Sequence, residues 1–294
     1  MDFLGINSTE FHQKSPRYRV IPFGLEKTVS YGSGTEFGPN AVLKASQEVE
    51  LFDLEYLSEV YKEYGLETLR EETIAPTHEG ALAQLAQIVE TALQLNRIPV
   101  VLGGEHSLTV GAIKPLVDRY PSDLVIVQFD AHCDLRDTYD GTKLSHACAM
   151  RRCIEGNNVK LVSIGIRNLA QEEFDFIKTS GAVSVFTSSQ AEDNHTELSL
   201  LSLVEDKNVY LTFDVDSLDC SIMPATGTPE PGGLSWHCAL RLLRKVCCNS
   251  KIVGIDLVEH SPLSGFDASD FVSAKLLYKI MSYCHAPPRS TFID

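Results

Sequence analysis

Seven short runs of apolar, mostly β-branched residues alternate with longer amphipathic stretches, and no other feature constrains the fold as strongly. The runs cover residues 19–23, 98–102, 124–129, 160–164, 182–186, 209–213 and 252–257. Several are apolar almost throughout, the pattern of strands covered on both faces. Residues 79–95, EGALAQLAQIVETALQL, repeat Ala and Leu at three- and four-residue spacing and predict a helix. Residues 235–245 and 269–284 read as helices too. Strands alternating with helices imply right-handed crossovers, hence an α/β fold around a parallel sheet. Binding sites in such sheets lie at the carboxyl ends of the strands.

The length of 294 residues, with 44% hydrophobic, suffices for a sizeable core, and no linker or internal repeat divides it. A single domain over 1–294 is expected, with irregular termini at 1–18 and 285–294. Forty acidic against 25 basic residues give a net charge of −15. That argues against a nucleic-acid partner and tolerates a cationic small molecule. The 8 cysteines contain no CxxC pair, which fits reduced thiols in a cytoplasmic protein. Residues 1–7 lack a basic segment followed by an apolar one, so no signal peptide is expected. No apolar run approaches the roughly 20 residues of a membrane span. Residues 32–43, GSGTEFGPNAVL, read as a loop turning into a helix with Pro39 in its first turn. They lack the terminal Lys-Ser/Thr of a phosphate loop and follow no clear strand.

Three strand ends carry the same chemistry. The run 98–102 leads through Gly103 and Gly104 to Glu105 and His106. The run 124–129 leads into Asp130, His132 and Asp134, which would share one face of an extended backbone with Cα atoms roughly 6.6 Å apart. The run 209–213 ends in Asp214 and Asp216. A parallel sheet brings these ends to one edge. Four clustered carboxylates could not all stay ionised without a counter-charge, which two divalent cations would supply. Oxygen-rich ligation with some imidazole suits Mn²⁺, and the absence of Cys from these positions disfavours a structural zinc. Two metals about 3.5–4 Å apart acidify water to a nucleophile near neutral pH, the requirement of a hydrolase. Asp130 and Asp214 are the natural shared ligands.

The segments GGEHS at 103–107, DAHCD at 130–134 and FDVDSLDCSIMPATGTPEPGG at 213–233 resemble the three signatures of the ureohydrolases, the arginase and agmatinase family. The front segment SYGSGTEFGPNAVLKAS resembles the agmatinase branch, and the similarity runs from about residue 19 to 284. The resemblance implies a three-layer α/β/α fold with about eight strands. It implies two Mn²⁺ per subunit, one held by His106, Asp130, Asp134 and Asp214, the other by Asp130, His132, Asp214 and Asp216. It further implies proton transfer by His146, a proton passed to the leaving amine by Asp134, a guanidinium held by Glu259 and a pocket wall at Thr228. His260 is expected only to flank the site. The implied reaction is hydrolysis of a cationic guanidino compound, foremost agmatine to putrescine and urea. N1-aminopropylagmatine, guanidinobutyrate and arginine are the rival substrates. A metal-binding regulator without turnover is the rival outside catalysis, and a single-zinc deacetylase lacks its His-His pair here. A homo-oligomer, trimer or hexamer, is implied as well.

The chain departs from the family in three places. Arginases carry a Ser-Gly-Asn run before the loop histidine, where this chain has Gly141-Thr142-Lys143-Leu144-Ser145. That disfavours a substrate with an α-carboxylate. Cys220 stands where Pro is usual, and Ala147 where agmatinases often have Gly. A cation lining the outer pocket would favour guanidinobutyrate, with Lys143 and Arg167 the candidates.

Overall fold

The structure is a computed structural model, and it describes residues 1–6, 15–193 and 195–289. Eight strands are formed: β1 Tyr18–Phe23, β2 Leu66–Thr68, β3 Ile98–Gly103, β4 Leu124–Phe129, β5 Lys160–Ile166, β6 Val183–Thr187, β7 Asn208–Asp214 and β8 Lys251–Val258. They make one sheet in the order β2-β1-β3-β8-β7-β4-β5-β6, parallel at every pairing. The helices are α1 Gly38–Ala45, α2 Tyr61–Tyr64, α3 His78–Gln94, α4 Thr109–Arg119, α5 Ala149–Ile154, α6 Gln171–Ser180, α7 Ser188–Ala191, α8 His195–Val204, α9 Trp236–Asn249 and α10 Ala268–His285.

Alternate strand residues enter opposite cores, as a period of two requires. Val125, Val127 and Phe129 of β4 and Val209, Leu211 and Phe213 of β7 join the core covered by α1, α8, α9 and α10. Leu124, Ile126 and Tyr210 join the core covered by α3, α4, α5 and α6. This is the expected three-layer fold. Fully burying each such side chain contributes about 1.5–3 kcal/mol. The Phe129 and Phe213 rings stack 5.2 Å apart at the last turns of β4 and β7. They form an apolar floor under the polar residues that follow.

The connectivity makes the site. After β3 the chain crosses to β4 and leaves two positions that β8 and β7 later fill. The carboxyl ends of β3, β8, β7 and β4 are therefore consecutive at the middle of the sheet. Gly104 permits the tight exit from β3: a Cβ there would lie 2.1 Å from the Leu25 carbonyl oxygen.

Several expectations are refined. The edge strand β2 has only three residues, too few for a periodicity. Pro115 lies inside α4 and masks its helical pattern. The N-terminal stretch expected to be irregular contains the 3-10 turn Phe3–Gly5, with Phe3 and Leu4 buried against the core. At the other end α10 reaches His285, and beyond it the Arg289 N–H still donates to the Glu55 carbonyl at 3.0 Å. Residues 7–14 and 290–294, within the termini expected to be irregular, lie outside the described residues.

Candidate metal and active site

The segment 130–134 does not continue β4 as an extended strand, as its alternation suggests. The strand ends at Phe129, and Asp134 has left-handed backbone with φ 53°. The chain bends around Asp130, whose Oδ1 accepts the His132 N–H at 2.6 Å. The Arg151 N–H donates to the Asp134 carbonyl at 3.0 Å and holds the far side of the bend. Convergence of the three side chains thus comes from a turn, not from a shared strand face.

The structure brings all six side chains singled out at the strand ends together. Nδ1 of His106 lies 3.1 Å from Asp130 Oδ2, 3.1 Å from Asp134 Oδ2 and 3.4 Å from Asp214 Oδ2. Nδ1 of His132 lies 3.0 Å from Asp216 Oδ2 and 3.6 Å from Asp130 Oδ1. Two triads, His106-Asp130-Asp134 and Asp130-His132-Asp216, each place their donor atoms within 4.8 Å of one another, and Asp130 belongs to both. Asp214 belongs to neither triad at that spacing but closes the His106 side. All except the half-buried His132 are buried.

Further hydrogen bonds fix these donors. Nε2 of His106 meets Thr212 Oγ1 at 2.8 Å, which directs Nδ1 toward the carboxylates. Buried Asp256 backs this row, accepting from Tyr210 at 2.6 Å and Thr109 at 2.8 Å. Gln128 donates to Asp130 Oδ2 at 2.7 Å and is itself held by Ser163. Asp216 Oδ1 accepts the Ala131 N–H at 2.9 Å, tying the β7 exit to the β4 exit. Glu259, at the end of β8 with φ 62°, accepts the His106 N–H at 2.6 Å.

The electrostatics call for a cation. Nδ1 of His106 is buried among three carboxylate oxygens 3.1–3.4 Å away yet makes no well-aligned hydrogen bond to any of them. Burial would depress the His106 imidazole, yet Asp130, Asp134 and Asp214 hold it well above its ordinary value. Burial opposes charge on His132 likewise, but Asp130 and Asp216 push it up to about 12. Asp214 is raised well above the carboxylate range by burial and then by Asp216 and Asp130. Burial also raises Glu259, to about 8 against the His106 N–H, with Glu105 adding repulsion. Carboxylates and imidazoles that attract protons this strongly fit a divalent cation in the protons' place. An orphaned imidazole nitrogen facing three carboxylate oxygens is the donor set such an ion needs.

Four of the six, His132, Asp134, Asp214 and Asp216, line a cavity of about 190 Å³ that also carries His146, Ala147, Thr228 and Glu259, while His106 and Asp130 lie buried behind them. Thr228 sits on its wall beside Gly227, whose carbonyl accepts the Gly32 N–H at 3.2 Å. His260 stays outside, bonded to Asp270 at 2.7 Å. Neither Lys143 nor Arg167 lines the cavity. Arg167 donates to the carbonyls of Gly165, Asp216, Glu230 and Pro231, and Lys143 lies 3.5 Å from Asp137. The cation lining the cavity is Arg136, 3.8 Å from Glu172 and over the Tyr139 ring. It continues the alternation of 130, 132 and 134, which was the available signal for it. Buried Glu173 is also a lining residue without a sequence signal, and its carboxylate accepts the Leu135 N–H at 2.9 Å.

Comparison with known proteins agrees with this geometry. A family model described as the Arginase family matches residues 17–283. An N(1)-aminopropylagmatine ureohydrolase of Synechocystis sp. is 35% identical, covering 90% of this chain and 88% of its own. An agmatinase of Pyrococcus horikoshii is 32% identical, covering 91% and 92%. The agmatine ureohydrolase structure from Thermoplasma volcanium superposes with a TM-score of 0.82 at 30% identity, covering 92% of this chain and 90% of that one. With the family model spanning nearly the whole chain, the protein belongs to the arginase family.

Proposed function

We propose that the chain is a binuclear manganese hydrolase of guanidino compounds, and that its substrate is agmatine: agmatine and water give putrescine and urea. The observation that carries the reading is the meeting of six metal-type side chains, four of which line one cavity together with Glu259 and His146. His106, Asp130, Asp134 and Asp214 would hold one Mn²⁺, and Asp130, His132, Asp214 and Asp216 would hold the other. When bound, the pair supplies water acidified to a nucleophile near neutral pH.

The chain's own residues do the rest. Glu259 receives the planar guanidinium, which a carboxylate can meet through two parallel hydrogen bonds. Its buried carboxylate, which accepts the His106 N–H, faces the cavity and attracts a cation docked there. Asp134 would take the proton that the attacking water loses and pass it to the leaving amine, and His146 would exchange protons with solvent. Thr228 confines the substrate. Residues 1–294 act as one domain in a cytoplasmic homo-oligomer, a trimer or hexamer. Among the described residues no helix is long and apolar enough to cross a membrane.

The two relatives' names support agmatine and N1-aminopropylagmatine alike, and both carry the cationic tail that the chain's net charge of −15 favours. One observation supports a second reading. Arg136 lines the cavity and would pair with the carboxylate of guanidinobutyrate. Urea release from agmatine, N1-aminopropylagmatine, guanidinobutyrate, arginine and guanidine, each with Mn²⁺, decides among them. Agmatine is expected to give the highest kcat/KM. Preference for guanidinobutyrate would assign the role to Arg136, and metal binding without any urea would leave a non-catalytic protein.

A further inference from the structure

His146 lies far along the loop that follows β4, well away in sequence from any strand end. It begins the 3-10 turn His146–Cys148 in the loop after β4, half-buried at the cavity. Its ring is held from the other side, by the loop after β1. Nδ1 lies 3.3 Å from Thr28 Oγ1 and Nε2 lies 3.5 Å from Ser30 Oγ. The His146 N–H also donates to Thr28 Oγ1, at 3.0 Å.

The direction of these bonds follows from the carboxylate behind Thr28. Glu105 is fully buried. Its Oε2 accepts the N–H groups of Lys27 and Thr28, both at 2.6 Å. Its Oε1 accepts the hydroxyls of Thr28 at 2.8 Å and Ser107 at 2.5 Å. Nε2 of His78, an imidazole whose protonation burial disfavours, lies 3.8 Å from Oε1 and 3.0 Å from Ser107 Oγ. Each oxygen of Glu105 thus has two donors, and the Thr28 hydroxyl is one of them. A threonine hydroxyl has one hydrogen and two lone pairs. With the hydrogen committed to Glu105, the lone pairs can only accept, one from the His146 N–H and one from its ring. Nδ1 of His146 must therefore carry a proton, and Nε2 keeps its lone pair toward Ser30 and the cavity.

We propose that Thr28 and Glu105 are positioning residues that fix the ring orientation and the Nδ1–H tautomer of His146, leaving Nε2 as its proton-accepting atom. The inference rests on the role given to His146 above. A proton taken up at Nε2 gives an imidazolium whose Nδ1–H already points at a hydroxyl backed by a carboxylate. No rotation is needed before the proton is given back. Glu105 precedes His106 in the chain, so the exit of β3 supplies both a proposed metal ligand and the anchor of the proton-transfer residue.

The test has two independent arms. In the first, the Mg²⁺-loaded protein, diamagnetic, is examined by long-range ¹H–¹⁵N correlation above the titration of the ring, with His146→Asn assigning the signal. The inference expects a protonated Nδ1 and an unprotonated Nε2 in the wild type, and loss of that preference in Thr28→Val. A wild-type ring protonated on Nε2 overturns it, whether or not the protein turns over any substrate. In the second arm, Thr28→Val is expected to lower kcat by about 10–100-fold, part of what a positioned proton donor contributes, with KM and Mn²⁺ content unchanged. Thr28→Ser should restore kcat to within about threefold, and Thr28→Val should cost nothing further in a His146→Asn background. A kcat unchanged in Thr28→Val, or a full additional loss in that background, overturns the inference. Absence of urea from every guanidino compound with the wild type would instead refute the proposed reaction and leave the tautomer measurement standing.

Discussion

Asp134 and Glu259 both sit in left-handed backbone, at φ 53° and 62°, where a non-glycine residue costs on the order of 1–3 kcal/mol. Both aim a carboxylate into the same cavity. Replacing a proposed ligand tests the assignment directly: His132→Ala or Asp216→Ala is expected to lose one metal equivalent by elemental analysis and to abolish urea release, with circular dichroism unchanged. Full metal content in both variants would remove them from the ligand set. Behind the ligands, Thr212→Val deletes the hydroxyl that orients His106. Metal affinity should fall by about 10–100-fold, read by titration against a competing chelator. Glu259→Gln keeps the shape and removes the charge. It is expected to lower kcat/KM by about 10–100-fold, the worth of a charged hydrogen bond, while metal content stays at two. An unchanged kcat/KM would move the guanidinium elsewhere in the cavity.

At the scale of elements, the site exists because β8 and β7 are inserted between β3 and β4, so four adjacent strand ends deliver side chains to one point. Close approach of backbones makes this possible, most tightly at Gly104. Adding a methyl group in Gly104→Ala would push it into the Leu25 carbonyl, 2.1 Å away. We expect a loss of about 1–3 kcal/mol by denaturant unfolding, together with weakened metal binding, because Glu105 and His106 follow directly. A variant as stable as the wild type would mean that the β3 exit can shift freely. The same elements show what a sequence discloses. Strands buried on both faces, such as Leu124–Phe129, announce themselves because nearly every residue is apolar, and the helix at His78–Gln94 does so by its period. Three-residue Leu66–Thr68 carries no period, and Pro115 hides a helix. The metal-type residues were legible because carboxylates abruptly end apolar strands. The significance of Thr28 and Glu105 depends on which loop faces which, and only the folded topology sets that.

For the molecule as a whole, a centre rich in acids and imidazoles couples metal binding to stability. Nothing comparable assembles in the unfolded chain, so metal at about 100 times its Kd adds roughly 2.7 kcal/mol. Chelation is therefore expected to lower Tm by roughly 4 °C for a chain of this size, and re-addition of Mn²⁺ to restore it. A Tm indifferent to both would mean that the buried donors are satisfied without an ion. The central claim, that these residues form a two-metal centre cleaving a guanidinium C–N bond, is tested most directly by urea release from agmatine as Mn²⁺ is titrated into the chelated protein. The account predicts no urea from the metal-free protein and turnover that saturates at two equivalents per chain. Urea released at full rate without metal, or two equivalents bound with no urea from agmatine or any other guanidino compound, would contradict it.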